Sequence, residues 1–440
     1  MPTTLPSASL RDAIGFAMDV FLPTVAKGVI IRRPRAVRLA ASTGADERAI
    51  RRMQRLRENY GSGPVVMRMP GRVQAVILAP EHARRVLDET PEPFATDSTE
   101  KIAALSHFEP GQALISHGRE RAERRQLQDA VLESACPRHR LAERFITVVR
   151  QEAAAMLHEA GRTRELAWAD FNPAWHRVIR RVVLGDSARD DHELTDLLGD
   201  LRRAANWAFF HPGKRALRAQ FFARLESHLA RAESGSLAAV LAATPKTPEA
   251  DAVQQVPQWL FAFDAAGMAT FRALALLVTH PSPLARAREE IRASDGYPAP
   301  ELPFLRACIL ESVRLWATTP MILRQTTALT TWESGTLQKG AGVLIFVPYF
   351  DRDDTRAPFA NSFEPDLWLG GAAPERWPLI PFSLGPAVCP GRQIVQLTGS
   401  AMLDALLQTH DFRLASSAPL SAGQPIPPTL DPFSLRFALV

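Results

Sequence analysis

A cysteine thiolate can ligate a soft metal or act as a nucleophile, and Cys389 sits where a chain would hold one still. Residues 380–395 read IPFSLGPAVCPGRQIV, with Gly385 four before the cysteine, Gly391 two after, and Pro386 and Pro390 beside them. Glycine permits backbone angles that other residues resist, and proline stiffens the loop. After Gly391, Ile394, Val395, Leu397, Met402 and Leu406 recur at helical spacing. The loop therefore places one sulfur before the N-terminus of a buried helix, where the dipole and free N–H groups favour the thiolate.

Other residues could complete a site around it. Arg121 and Arg125 in residues 116–127, SHGRERAERRQL, fall one helical turn apart and could grip paired carboxylates bidentately. Glu311 and Arg314 are three apart among Ile309, Leu310, Val313 and Leu315, a setting that predicts a buried ion pair, each partner costly without the other. A long apolar helix is expected over 255–277, with Gly267 and Thr270 near its middle. In isolation a Gly and a Thr there read as packing devices.

Taken together, these segments resemble the cytochrome P450 family. Phe382, Gly385, Cys389 and Gly391 match its Phe-x-x-Gly-x-(Arg/His)-x-Cys-x-Gly loop, although Ala387 stands where a basic residue is usual. Glu311 and Arg314 match its Glu-x-x-Arg pair. Gly267 and Thr270 match its (Ala/Gly)-Gly-x-(Asp/Glu)-Thr groove, with Ala269 in place of the acid. Leu367 replaces the arginine of Phe-x-Pro-x-Arg, and Asp351-Arg352-Asp353 is a (His)-Arg-Asp turn without its histidine.

The resemblance implies a mainly α fold with a small β region, and haem b held between the Gly267/Thr270 helix and the cysteine loop. Cys389 becomes the axial ligand of the iron, a thiolate that favours O–O cleavage. Phe382 packs beneath the ring, and Arg121, Arg125 and Arg324 bind the propionates. Thr270 and Gly267 serve O2, while Phe263, Met268, Thr318, Thr319, Met321 and Ile322 line a substrate pocket. The expected function is a monooxygenase acting on an apolar small molecule, with O2 and electrons from a separate ferredoxin- or flavodoxin-type donor. The alternatives are an atypical member (peroxide-driven, desaturating, coupling or dehydrating), for which Ala269 speaks, or a haem-binding protein without catalysis.

The remaining sequence sets bounds. At 440 residues, with 46% hydrophobic and 22% charged residues and no low-complexity linker, a single domain over 1–440 is expected, with a helical segment over 1–60 of uncertain role. Three scattered cysteines, Cys136, Cys308 and Cys389, suit a reducing cytoplasm. The net charge of +5 comes mostly from arginine spread along helices, which predicts a solvated surface or a patch for an acidic redox partner and no nucleic-acid binding. Residues 14–31 are apolar but broken by Asp19, Pro23 and Lys27, so no membrane span is expected. An amphipathic helix there packs on the body or touches a membrane surface. Strands are expected around Pro70-Gly71 and over 326–332 and 342–347. Aromatic residues over 201–222, around a His211-Pro212-Gly213 break, either roof the pocket or pack as core. The chain is expected to be a monomer.

Overall fold

A computed structural model describes residues 4–69, 72–210, 212–370 and 378–440. The Pro70-Gly71 turn and His211 lie outside the described residues. Helices dominate and three small sheets flank them, as the sequence leads one to expect.

The central helix runs Ala252–Thr279. It is apolar nearly all round, so it must be buried on every side rather than along one stripe. Its length and hydropathy would suffice to cross a bilayer, but it forms the core instead. Helices Ala142–Thr163, Trp168–Leu184, Pro303–Leu315 and Arg392–Thr409 belong with it to one continuous apolar cluster. Phe271 packs there against Phe171 in a tilted pair and edge-on against Phe437, with ring centroids 4.8 and 5.0 Å apart.

A second cluster joins the N-terminal helices to the largest sheet. That sheet has five strands in the order Val65–Met69, Arg72–Val76, Gly342–Phe346, Met321–Thr326, Phe94–Ala95. Arg72–Val76 pairs in parallel with Gly342–Phe346, Val76 opposite Leu344, and the other pairings are antiparallel. The β-branched run GVLIF is buried throughout, as suits an interior strand. This sheet carries Arg324, Met321 and Ile322 to the edge of the space between the two clusters.

Candidate functional site

A cavity of about 740 Å³ lies between the central helix, the sheet and the cysteine loop. Cys389, Phe382 and Gly391 close one end. In the loop, Gly385 adopts a φ of +66°, and a Cβ on it would lie 2.2 Å from the Leu87 carbonyl oxygen, so only glycine fits. The Cys389 N–H donates to the Phe382 carbonyl at 2.9 Å, which closes the loop. Gly391 has no neighbour within 4 Å of where its Cβ would lie, so the space above the loop is open. Burial pushes the Cys389 thiol up, against the backbone N–H groups of Gly391 and Arg392 and the guanidinium groups of Arg125 and Arg392.

The cations form a second wall. Arg121 and Arg125 project from the helix Gly118–Val131, and both line the cavity with Arg324. Arg324 donates to Thr90 Oγ1 at 3.0 Å and to the Leu323 carbonyl at 3.0 Å, while Arg121 reaches only Thr96 Oγ1 at 3.4 Å. Arg125 pairs with Asp129 and donates to the Val388 carbonyl at 2.8 Å, tying this helix to the cysteine loop. Lys101 joins them, a residue the sequence did not reveal because nothing local marks it. Burial and then the charge of Arg324 hold the Lys101 ammonium well below its ordinary value. Burial and Arg121 lower Arg324 to about 10. Among the described residues no carboxylate forms an ion pair with Arg121, Arg324 or Lys101, so these three basic groups face the cavity without a partner of opposite charge in contact.

The central helix forms the third wall. Ala262, Ala265, Ala266, Met268 and Ala269 line the cavity, whereas Gly267 and Thr270 do not. A Cβ on Gly267 would lie 2.6 Å from the Trp175 ring, so this glycine makes room for a tryptophan. The Thr270 hydroxyl donates to the Ala266 carbonyl at 2.9 Å and packs against Gly399. Phe263 and Met268 line the cavity, as do Thr318, Thr319, Met321 and Ile322.

Asp264 lines the cavity too, ion-paired with Arg202 and with His176 Nε2 at 3.0 Å. Burial opposes its ionisation, but Arg202 and His176 hold the carboxyl well below the usual range. Asp351 behaves in the opposite way. Burial raises its carboxyl to about 8, Arg314 opposes this only in part, and its buried Oδ2 has no partner. Burial therefore favours the neutral acid where Asp351 faces the cavity.

Beneath the cavity, Glu311 and Arg314 are fully buried and bonded bidentately at 2.5 and 2.8 Å. Arg314 also donates to the carbonyls of Asp351, Ala360 and Ser362. Glu311 accepts from the Glu364 N–H at 2.7 Å and from Trp368 Nε1 at 2.9 Å. The place left by Leu367 is thus filled by two neutral donors, and the network is complete where the sequence suggested a gap.

Residues 237–427 match the family model for cytochrome P450. The whole fold superposes on the solved structure of CYP102L1 with a TM-score of 0.73, covering 100% of this chain and 99% of that one at 18% identity. Residues 237–427 thus resemble the cytochrome P450 family in sequence, and the chain as a whole has its fold. The structure of retinoic acid-bound cyanobacterial CYP120A1 gives a TM-score of 0.72 at 16% identity, over 88% of this chain and 93% of that one. Drimenol monooxygenase of Persicaria hydropiper is 31% identical over 33% of this chain and 31% of its own length. For 2-hydroxyisoflavanone synthase of Glycine max the figures are 28%, 34% and 32%. The chain spans about a third of the length of the curated relatives it matches.

Members of the family bind haem b, and this cavity fits that group. A sulfur and open space above Gly391 stand at one end, and three unpaired cations suited to two carboxylates stand at its rim. Cys389 would hold the iron, and Arg121, Arg324 and Lys101 the propionates.

Proposed function

We propose that this protein is a monooxygenase. One oxygen atom of O2 enters an apolar organic molecule and the other leaves as water, with two electrons and two protons consumed. Bound haem, ligated by a thiolate, supplies the O2 chemistry. The observation that carries the reading is the convergence of Cys389, the unpaired cations and an alanine-lined wall on one cavity. Relatives named as monooxygenases support it.

The residues of this chain have separable tasks. Ala262, Ala265 and Ala269 leave a smooth apolar surface over which Phe263, Met268 and Ile322 orient a substrate and exclude water. Ala269 cannot pass protons, so they arrive through water on the side lined by Asn172, His176 and Asp264. Electrons come from a separate ferredoxin- or flavodoxin-type protein docking on the cysteine-loop face, where Arg392 and Arg125 supply positive charge. Three free cysteines suit a reducing cytoplasm, and the protein acts as a monomer.

The deciding experiment is the absorption spectrum of the dithionite-reduced protein under carbon monoxide. A strongly red-shifted Soret band, lost in Cys389→Ala, is expected, followed by incorporation of ¹⁸O from ¹⁸O₂ into product. A protein that takes up no haem when supplied with it overturns the reading. Ala269 favours one variation, in which H2O2 replaces O2 and the electron donor. Turnover with H2O2 alone supports that variation, and its absence removes it.

A further inference from the structure

A second positive site borders the cavity, apart from the cations suited to the haem propionates. Arg32 lines the wall, half-buried, with Val29, Ile30 and Ile31 beside it. Its guanidinium donates to the Gly28 carbonyl and to the Thr318 carbonyl, each at 2.9 Å. Those two bonds leave further N–H donors unused. Arg324 and Arg121 act on the charge of Lys101, whereas Asp46 acts on Arg32, so the two positive sites are separate.

Arg272, on the central helix, adds to this charge. Its guanidinium donates to the Leu430 carbonyl at 2.9 Å, and its Nε has no partner. Burial and then the charge of Arg32 lower it to about 9. The acids that act on this pair of arginines are engaged elsewhere. Asp46 is paired with Lys27 and accepts from the Thr429 hydroxyl, while Asp431 accepts from the Phe433 N–H and lies 3.6 Å from Arg38. Among the described residues no carboxylate is in contact with Arg32 or Arg272. A desolvated cation held only by carbonyls is costly until an anion meets it.

The surroundings select the anion. The Arg32 bond to the Thr318 carbonyl sets its guanidinium beside Thr318 and Thr319, which line the cavity and whose hydroxyls bond to no described residue. A guanidinium meets a planar carboxylate through parallel N–H bonds, and hydroxyls can donate to the lone pairs that remain. Next to this polar corner, Val313, Ala317, Ala266 and Ala269 continue the wall as apolar surface. A ligand that satisfies both is charged at one end and apolar along its body. We propose that Arg32, with Thr318 and Thr319, binds the carboxylate of an amphiphilic acid whose apolar body lies along the alanine wall toward Cys389. The acid is a substrate only if the monooxygenase reading holds, but its binding is measurable without turnover.

The test is calorimetric titration of the haem-loaded protein, in which propionates occupy Arg121, Arg324 and Lys101, with dodecanoic acid, dodecanol and dodecylamine. The acid is expected to bind at least roughly tenfold more tightly than the alcohol or the amine. Arg32→Gln should weaken the acid roughly tenfold and leave the alcohol unchanged, and Arg32→Lys should recover part of the loss. Thr318→Val with Thr319→Val, which alters no charge, should weaken the acid about threefold. Melting temperatures establish folding, and should Arg32→Gln unfold, the threonine double variant decides. Equal binding of acid and alcohol, tighter binding of the amine, binding of none of the three, or acid affinity indifferent to these substitutions overturns the proposal. A protein that takes up no haem fails the carbon monoxide spectrum instead, so the two failures are told apart.

Discussion

Two places in this protein bury arginine, and they treat its charge in opposite ways. Around Arg314 a carboxylate and several carbonyls meet the guanidinium, and Glu311 receives an indole and a backbone N–H in addition. Around Arg324 there are a hydroxyl, a carbonyl and two further cations. Burying a charge costs several kcal/mol unless partners offset it. The first region is balanced within the chain and supports the fold. The second is balanced only when an anionic ligand arrives. Degree of burial does not separate structure from site here, but completeness of the partner set does.

The comparison can be broken from either side. Arg314→Leu leaves Glu311 buried alone and should cost about 3–5 kcal/mol of stability in urea unfolding, with or without haem. Trp368→Phe removes one donor from the same carboxylate and should cost about 2 kcal/mol by the same measurement. Arg324→Leu should leave the haem-free protein within about 1 kcal/mol of wild type while weakening haem retention roughly tenfold in transfer to apomyoglobin. An Arg324→Leu protein that unfolds as readily as Arg314→Leu would erase the distinction.

Asp351 stands on the boundary, since its carbonyl accepts from Arg314 and its carboxyl faces the cavity. Its folded value of about 8 lies above the ordinary 3.8. Between these values the unfolded chain has released a proton that the folded chain keeps. Stability of the haem-free protein therefore falls as pH rises across that window, by at most about 1.4 kcal/mol per pH unit from this group. Asp351→Asn should flatten the fall, which melting curves at pH 5 and pH 8 can check.

The cysteine loop was legible in the sequence because its demands are local. Gly385 must take a positive φ four residues from the sulfur, and that constraint is written in the spacing. Glu311 and Arg314 share one helix face, so their pairing was legible too. Trp368 was not, because its indole meets Glu311 from a different turn of chain, and family spacing pointed instead to Leu367. Lys101 and the partners of Asp264 come from segments far apart in sequence. Gly267 and Thr270 show the finer limit. Their places on a helix were readable, but which face met the cavity was decided by Trp175 and Gly399, residues on other helices.

The parallel pairing of Arg72–Val76 with Gly342–Phe346 has a consequence for synthesis. Residues made early wait for a partner about 270 positions later, so the sheet cannot close until most of the chain has left the ribosome. In the interval an interior strand has a bare edge, open to pairing with other nascent chains. Expression should therefore reward slow synthesis and chaperone supply, and fragments ending before Gly342 should aggregate even with every helix up to that point intact.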